Sequence, residues 1–198
     1  EAHIDSRSLS FVAFSLGAAR LYTHPTIQNN EYRVRIVQPN LSQMQKWDRS
    51  EAWKNLEHHL QLTTTPALQP FTFFIWPETA TQSPVQSFPE AQKYLASNLL
   101  KNAYGLIGAL HIEGQDDAMK FYNGLSAIND HGDIIAKYEK HHLVPFGEYI
   151  PYRKIFNATP IAASISGMGD FSSGAGTASI HIGKLPSFSP LICYEVIF

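Results

Sequence analysis

Three residues whose side chains could together carry out acyl transfer follow predicted strands of this chain: Glu78, Lys140 and Cys193. Cys193 is the only cysteine among 198 residues, so its thiol cannot form an internal disulfide. A thiol needs a base or a nearby cation before it becomes a strong nucleophile. A carboxylate can take the thiol proton and return it to a leaving group, and an ammonium can stabilise an oxyanion. The three residue types therefore predict a Glu–Lys–Cys site.

Each of the three also has an ordinary structural explanation. A lone cysteine is more often a small core residue than a nucleophile. A glutamate that follows Trp76 and Pro77 is usually a turn or cap residue, and a lysine in a loop is usually a solvated charge. Their joint occurrence at strand ends is what favours chemistry, because open α/β sheets bind ligands beyond the carboxyl ends of their strands.

The segment around the cysteine, residues 191–198 (LICYEVIF), is apolar on both sides of Cys193. A short apolar run of this kind predicts a buried strand. A sharp turn from that strand into a helix would add backbone N–H donors near the thiol, as in other nucleophile elbows.

The elements that would position these residues follow from hydrophobic periodicity. Residues 32–39 predict a strand that buries Val34 and Ile36 and exposes Arg33 and Arg35. Helices are predicted at 50–62, with Ser50 as N-cap and Trp53, Leu56 and Leu60 on one face, and at 89–103. Further strands are predicted at 71–76, 104–112, 121–128, 134–138, 178–182 and 188–192, with a hairpin turn at 129–133. Alternating strands and helices followed by a β-rich half predict an α/β fold.

Composition limits the possible partners. The net charge is −2 and no basic run occurs, which argues against nucleic acid. No apolar stretch is as long as the roughly 20 residues that a membrane span needs. Residues 1–31 are predicted to be a linker that packs weakly or follows a membrane span. Residues 152–176, rich in Gly, Ser and Ala, are predicted to be a mobile loop, which either lies over the site and contacts acyl chains or is an ordinary surface loop.

Three strings resemble the nitrilase, or carbon–nitrogen hydrolase, superfamily: WPET from Trp76, YEKHHLVPFGEYIP from Tyr138, and LICYEVIF. The resemblance covers about residues 32–198 and implies an αββα sandwich that is incomplete at its C-terminal end. It also implies that Glu78 is the general base, Lys140 the oxyanion-stabilising cation and Cys193 the nucleophile. Supporting roles are implied for three further residues: Glu148, Tyr194 and Glu195.

The longer strings look most like a branch of this superfamily that acylates lipoproteins in the bacterial inner membrane. The implied reaction moves a fatty acyl chain from a phospholipid onto Cys193, as a thioester. The N-terminal amine of a diacylglyceryl-cysteine apolipoprotein then accepts the chain. The resemblance implies no cofactor and no metal, a domain on the periplasmic face, and membrane attachment through segments outside this chain.

Four other interpretations stay open from the sequence. A metal site could use the pairs His58–His59 or His141–His142, although adjacent histidines on a helix point about 100° apart. A papain-like Cys–His pair could use His141 or His142. The chain could also be a soluble amidase or nitrilase of the same fold, or a fragment without catalytic activity.

Overall fold

The described residues contain one sheet of five strands, which lie side by side in the order in which they follow one another along the chain. In the computed structural model, which describes residues 6–24, 31–66, 70–81, 89–99, 101–153 and 170–198, β1 to β3 are parallel and β4 and β5 are antiparallel to their neighbours. The strands are β1 Val34–Ile36, β2 Phe73–Ile75, β3 Tyr104–Glu113, β4 Lys120–Ile128 and β5 Ile134–Glu139. The helices are α1 Ser6–Thr23, α2 Gln43–Trp47, α3 Ala52–Thr64 and α4 Pro89–Asn98. The predicted α/β class is confirmed.

The chain divides into two units, Glu1–Glu31 and Tyr32–Phe198. The described part of the first unit is α1, which the sequence did not predict and which exposes apolar side chains such as Phe11, Phe14 and Leu21. Among the described residues, no helix combines the length and the apolar character needed to cross a membrane. That this unit leads from a membrane span into the domain stays a prediction.

In the second unit, α3 and α4 cover one face of the sheet. Their apolar side chains, among them Leu60 and Leu95, pack on Phe74, Ile107 and Ile128. The opposite face carries a second apolar cluster, in which Leu106, Ala127 and Tyr138 meet Ile180, Ile182 and Ile192 from the C-terminal segment. Lys140, two residues after Tyr138, lies on this second face.

The prediction for the two faces of β1 is wrong. Val34 and Ile36 are 44% and 77% exposed, whereas Arg35 is half-buried against the helix face. Its guanidinium donates to the carbonyls of Thr63 and Thr65 at the end of α3 and lies 4.5 Å from the ring centroid of Phe71. The last carbonyls of a helix have no intrahelical donor, so a cation there replaces the apolar contact that strand alternation suggests.

Two helix boundaries also differ from the prediction. Ser50 is not the N-cap of α3; its N–H and hydroxyl both donate to Asp48 within a turn of 3-10 helix, and Glu51 occupies the cap position. Trp53 is exposed, although Leu56 and Leu60 are buried as predicted. The helix predicted at 89–103 ends at Asn98.

The C-terminal segment contains fewer regular strands than predicted. The pair at 178–182 and 188–192 is reduced to a single antiparallel bridge between Ile180 and Phe188. Residues 193–197 form a 3-10 helix, so the backbone passes from an extended conformation at Ile192 into a helical turn at Cys193, as predicted for an elbow. The apolar residues that follow, Val196, Ile197 and Phe198, are exposed and not buried. Of the loop predicted at 152–176, residues 154–169 lie outside the described part.

Candidate active site

Strand direction brings the candidate residues to one edge of the sheet. Glu78 follows β2 and Lys140 follows β5, and these two strands point the same way because β4 between β3 and β5 is antiparallel to both. Asn123 lies near the start of β4 and therefore at the same edge. Side chains separated by up to 62 residues in sequence can meet there.

A glycine allows Glu78 to lie across β3. A Cβ built on Gly108 would stand 2.1 Å from the carbonyl oxygen of Pro77 and 2.8 Å from the Cα of Glu78. The N–H of Ala80 donates to the carbonyl of Gly108 over 2.8 Å, which holds this crossing in place. Any side chain at position 108 would therefore displace the segment that carries Glu78.

Glu78 and Lys140 belong to one buried polar network. The amide nitrogen of Asn123 donates to Glu78 Oε1 over 2.5 Å and to Glu148 Oε1 over 2.8 Å. Glu148 Oε2 lies 2.8 Å from the Lys140 ammonium and also accepts from the Val144 N–H. Lys140 is only 1% exposed, so the Glu148 carboxylate compensates a charge that water cannot reach.

Asn123 is the member of this network that sequence reasoning missed. It is 3% exposed, and its side-chain oxygen is buried without a hydrogen-bond partner among the described residues. The available signal was weak: an asparagine inside a strand run, a position where asparagine is depleted. Its partners lie 45 and 25 residues away in sequence, so no local spacing marks it.

A second cation lies near Glu78. Burial lowers the pKa of Lys46 on α2, and the negative charge of Glu78 opposes that shift. Asn55 of α3 donates to the Gln45 carbonyl over 2.8 Å and so fixes the end of α2 that carries Lys46.

Cys193 occupies a strained turn. Ile192 has extended backbone angles, Cys193 has a φ of 56°, and the 3-10 helix starts at the same residue. Left-handed backbone is unfavourable for residues other than glycine and is concentrated at functional sites. Thr79 and Phe146, which are close in sequence to Glu78 and Glu148, have positive φ values as well.

The thiol of Cys193 is exposed, and among the described residues no hydrogen bond joins it to Glu78 or Lys140. Glu195 connects the two halves of the site instead. Its carboxylate accepts from the N–H groups of His141 and His142, which follow Lys140, and from the N–H of Ile192, which precedes Cys193. Glu195 thus connects the turn that contains Cys193 to the loop that follows Lys140.

Glu195 is 2% exposed and accepts a fourth hydrogen bond from the hydroxyl of Tyr138 over 2.8 Å. Burial acts to raise the pKa of Glu195, but its hydrogen bonds outweigh burial and hold that pKa below the ordinary value. Burial, together with the bond to Glu195, raises the pKa of Tyr138 to about 12. Tyr138 therefore remains a donor throughout the neutral range.

The other predicted site residue, Tyr194, is 61% exposed beside the thiol. The histidines considered for a Cys–His pair have other partners: His141 Nδ1 bonds the Gly174 carbonyl, and the ring of His142 stacks on Phe198 at 4.4 Å. Within the described residues, no group of three or more His, Cys, Asp or Glu side chains could hold a metal ion.

The residues on either side of 154–169 are fixed beside Glu148. The Arg153 guanidinium binds Asp170 through two nitrogens, at 2.5 and 2.6 Å, and Asp170 also accepts from the Ile150 N–H. The Phe171 N–H donates to the Glu148 carbonyl over 2.7 Å.

Comparison with known proteins identifies the family to which this mixed sheet belongs. Residues 33–198 match the carbon-nitrogen hydrolase family, and the chain belongs to that family. An amidase from Nesterenkonia sp. shares the fold, with a TM-score of 0.54 and 17% identity over 89% of this chain and 60% of the amidase. The nitrilase-like α/β fold predicted from the sequence is confirmed.

Within this family the chain is similar to enzymes named apolipoprotein N-acyltransferase. The protein from Allorhizobium ampelinum is 37% identical over 187 residues, which cover 92% of this chain and 35% of that protein. The protein from Rickettsia typhi is 34% identical over 186 residues, which cover 92% of this chain and 36% of that protein. The chain therefore spans about a third of the length of these curated relatives.

Proposed function

We propose that this chain carries the catalytic residues of an N-acyltransferase that matures lipoproteins. The observation that carries the proposal is the buried network in which Asn123 joins Glu78 to the Lys140–Glu148 ion pair. Such a network supplies a carboxylate base and a compensated ammonium at one sheet edge, as acyl transfer through a thiol requires. The similarity to apolipoprotein N-acyltransferases supports the choice of substrates.

In the first half-reaction, Glu78 takes the proton of the Cys193 thiol and the thiolate attacks an ester carbonyl of a phospholipid such as phosphatidylethanolamine. The Lys140 ammonium stabilises the oxyanion that forms. When this intermediate collapses, Glu78 returns the proton to the departing lysophospholipid oxygen, which leaves an acyl thioester on Cys193. Asn123 and Glu148 orient the two charged groups.

In the second half-reaction, the α-amine of a diacylglyceryl-cysteine apolipoprotein attacks the thioester. Glu78 accepts a proton from the amine and returns it to the departing thiolate of Cys193. Tyr194 and Glu195 support the turn that presents the thiol. No metal or cofactor takes part, and the natural site of action is the periplasmic face of the bacterial inner membrane.

A two-stage mass-spectrometric experiment tests the function. The protein in its full native length is incubated with phosphatidylethanolamine that carries a labelled acyl chain, and we expect one labelled chain on Cys193. Addition of a diacylglyceryl-cysteine peptide should transfer that label to the peptide amine. Cys193→Ala should show neither product, whereas Ser187→Ala, a change at an exposed serine outside the site, should show both.

The same experiment separates this function from the amidase alternative. An amidase would release ammonia or an amine from small amides and would leave no acyl chain on Cys193 from phospholipid. That result would refute the proposed acyl donor while retaining the nucleophile. Labelled lipid on another residue, with Cys193→Ala fully active, would refute both.

A further inference from the structure

A second polar group lies on the helix face of the sheet, directly behind the site. His111 of β3 is 3% exposed; its Nδ1 is 3.0 Å from Glu139 Oε1 and its Nε2 is 2.9 Å from Ser126 Oγ. These hydrogen bonds connect β3, β4 and β5. The set Ser126, His111 and Glu139 is called the His111 bridge below.

The direction of each hydrogen bond follows from charge. Burial lowers the pKa of His111, although the bond to Glu139 opposes the shift, so the ring is neutral near pH 7. The Glu139 carboxylate only accepts, so Nδ1 carries the ring proton and Nε2 accepts from the Ser126 hydroxyl. Ser126 has no exposed surface, so it is no nucleophile despite this Ser–His–Glu arrangement.

A glycine in the middle strand makes room for the ring. Gly124 pairs with Glu139 across β4 and β5, and a Cβ on Gly124 would stand 2.5 Å from Nδ1 of His111. The imidazole therefore lies where the side chain of residue 124 would be. It reaches across β4 to a carboxylate on β5, which is the last strand of the described sheet.

The bridge lies one residue away from two members of the proposed site. Glu139 precedes Lys140, and Gly124 follows Asn123. Because side chains alternate along strands, Glu139 and the His111 ring beside Gly124 lie on one face of the sheet, whereas Lys140 and Asn123 lie on the other. The Lys140 N–H donates to the Asn123 carbonyl over 2.8 Å, so the last hydrogen bond between β4 and β5 lies next to the bridge.

We propose that His111, oriented by Ser126, is a positioning residue that holds the Glu139 end of β5 and thereby fixes Lys140 relative to Asn123. The inference rests on the proposed function for the role of Lys140. Contacts with Gly174, Glu148 and Glu195 hold Lys140 and the residues that follow it. The His111 bridge adds a side-chain contact one residue earlier, at Glu139, where β5 is paired only with β4 among the described strands. Small displacements of a reacting group cost much of the rate without a matching loss of substrate binding.

The test compares four variants in the protein at its full native length. His111→Phe fills the space above Gly124 but removes both hydrogen bonds. Glu139→Ala removes the carboxylate on β5 that accepts from His111. Glu139→Gln keeps an oxygen that can accept from Nδ1. Glu113→Gln is the matched control for a hydrogen bond that lies close to the bridge without being part of it: Glu113 is exposed, follows His111 by two residues and accepts from the hydroxyl of Tyr122.

We expect His111→Phe and Glu139→Ala to lower kcat for acyl transfer about 10- to 100-fold while KM for the phospholipid stays within about twofold. Glu139→Gln should recover much of this loss, and Glu113→Gln should behave like the unmodified protein. Hydrogen exchange of a peptide covering residues 136–142 should accelerate in the first two variants only. If His111→Phe does not fold, Ser126→Ala replaces it and should show a smaller loss in the same direction.

Unchanged kcat and unchanged exchange in His111→Phe and Glu139→Ala would overturn the inference. So would equal losses in Glu113→Gln, or a KM that rises in parallel with the fall in kcat. If the unmodified protein forms no acyl thioester but exchange at 136–142 responds as expected, the proposed function fails while the positioning of Lys140 by the bridge stands.

Discussion

Replacement of Glu148 by glutamine should destabilise the protein strongly, and a second replacement at Lys140 should reverse much of that loss. Lys140 is 1% exposed and Glu148 Oε2 is 2.8 Å from its ammonium. Removing one partner of a buried ion pair leaves an uncompensated charge, which costs about 3–5 kcal/mol. We therefore expect Glu148→Gln to lower the free energy of unfolding by about that amount.

The double variant Lys140→Met with Glu148→Gln removes both charges and keeps an oxygen for the Val144 N–H. Replacing a buried pair by uncharged side chains is often nearly neutral, so most of the stability should return. Activity should not return, because the ammonium is absent: we expect acyl transfer to fall about 10²- to 10³-fold or more in Lys140→Met and in the double variant.

Urea unfolding and thioester formation measured on the same three preparations check this prediction. The losses in free energy of unfolding of the two single variants should not add up in the double variant, which should be more stable than their sum predicts. The loss of acyl transfer in Lys140→Met should persist in the double variant. A double variant as unstable as Glu148→Gln would show that the pair does not stabilise through charge compensation. A double variant with native activity would remove Lys140 from the mechanism.

The parts of the fold that could be predicted from the sequence are those in which local pattern and tertiary packing agree. The run of β3 is apolar and long, and the turn between β4 and β5 has the Asn-Asp-His-Gly sequence of a hairpin, so both were predicted within one or two residues. Glu78 could be located because Pro77 ends the strand before it.

Prediction failed where a polar side chain or a distant partner decides the structure. Alternation assigned Val34 and Ile36 to the core, but the carbonyls at the end of α3 recruit Arg35 to that face. The apolar run at 191–198 predicts a strand, but Glu195 bends it into a turn by binding the N–H of Ile192. Hydrophobic periodicity contains no information about hydrogen bonds of polar side chains, whether the partner is distant in sequence, as for Arg35, or local, as for Glu195.

For the candidate site, the sequence indicates which reactive residue types are present, and the sheet shows which of them lie close together. The strings that suggested Glu78, Lys140 and Glu148 contain neither Asn123 nor His111. Both lie on strands whose alternation is ordinary for a half-buried sheet, and only the strand register shows which residues they meet. The catalytic roles of Glu78, Lys140 and Cys193, and the supporting roles of Glu148, Tyr194 and Glu195, stay predictions until the variants are measured.

Replacement of Glu195 by glutamine should affect the turn of the nucleophile more than its small change in size suggests. Three donors converge on Oε1 of Glu195, whereas the Ile192 N–H alone binds Oε2. A glutamine can satisfy the three donors with its oxygen, but its amide group would then face the Ile192 N–H, donor against donor. A buried N–H without an acceptor costs about 1–3 kcal/mol, and this one precedes Cys193.

We expect Glu195→Gln to lower the free energy of unfolding by about 1–3 kcal/mol. Acyl transfer should fall about 10²-fold because the thiol is displaced. Tyr138→Phe is the matched control: it removes one donor from Oε1 and leaves the Ile192 bond intact, so its effect on the rate should be smaller. Equal rates for Glu195→Gln and the unmodified protein would show that the carboxylate does not position the turn.

The same variant should change how stability depends on pH. Because the pKa of Glu195 in the folded protein is below the ordinary value of 4.5, the folded state favours the ionised carboxylate. Its contribution to stability is therefore fully present above pH 4.5 and is lost as the pH falls through the folded-state pKa. Unfolding measured between neutral and acidic pH should show a shallower decline below pH 4.5 in Glu195→Gln than in the unmodified protein. Parallel declines in the two proteins would mean that Glu195 is not stabilised in its ionised form.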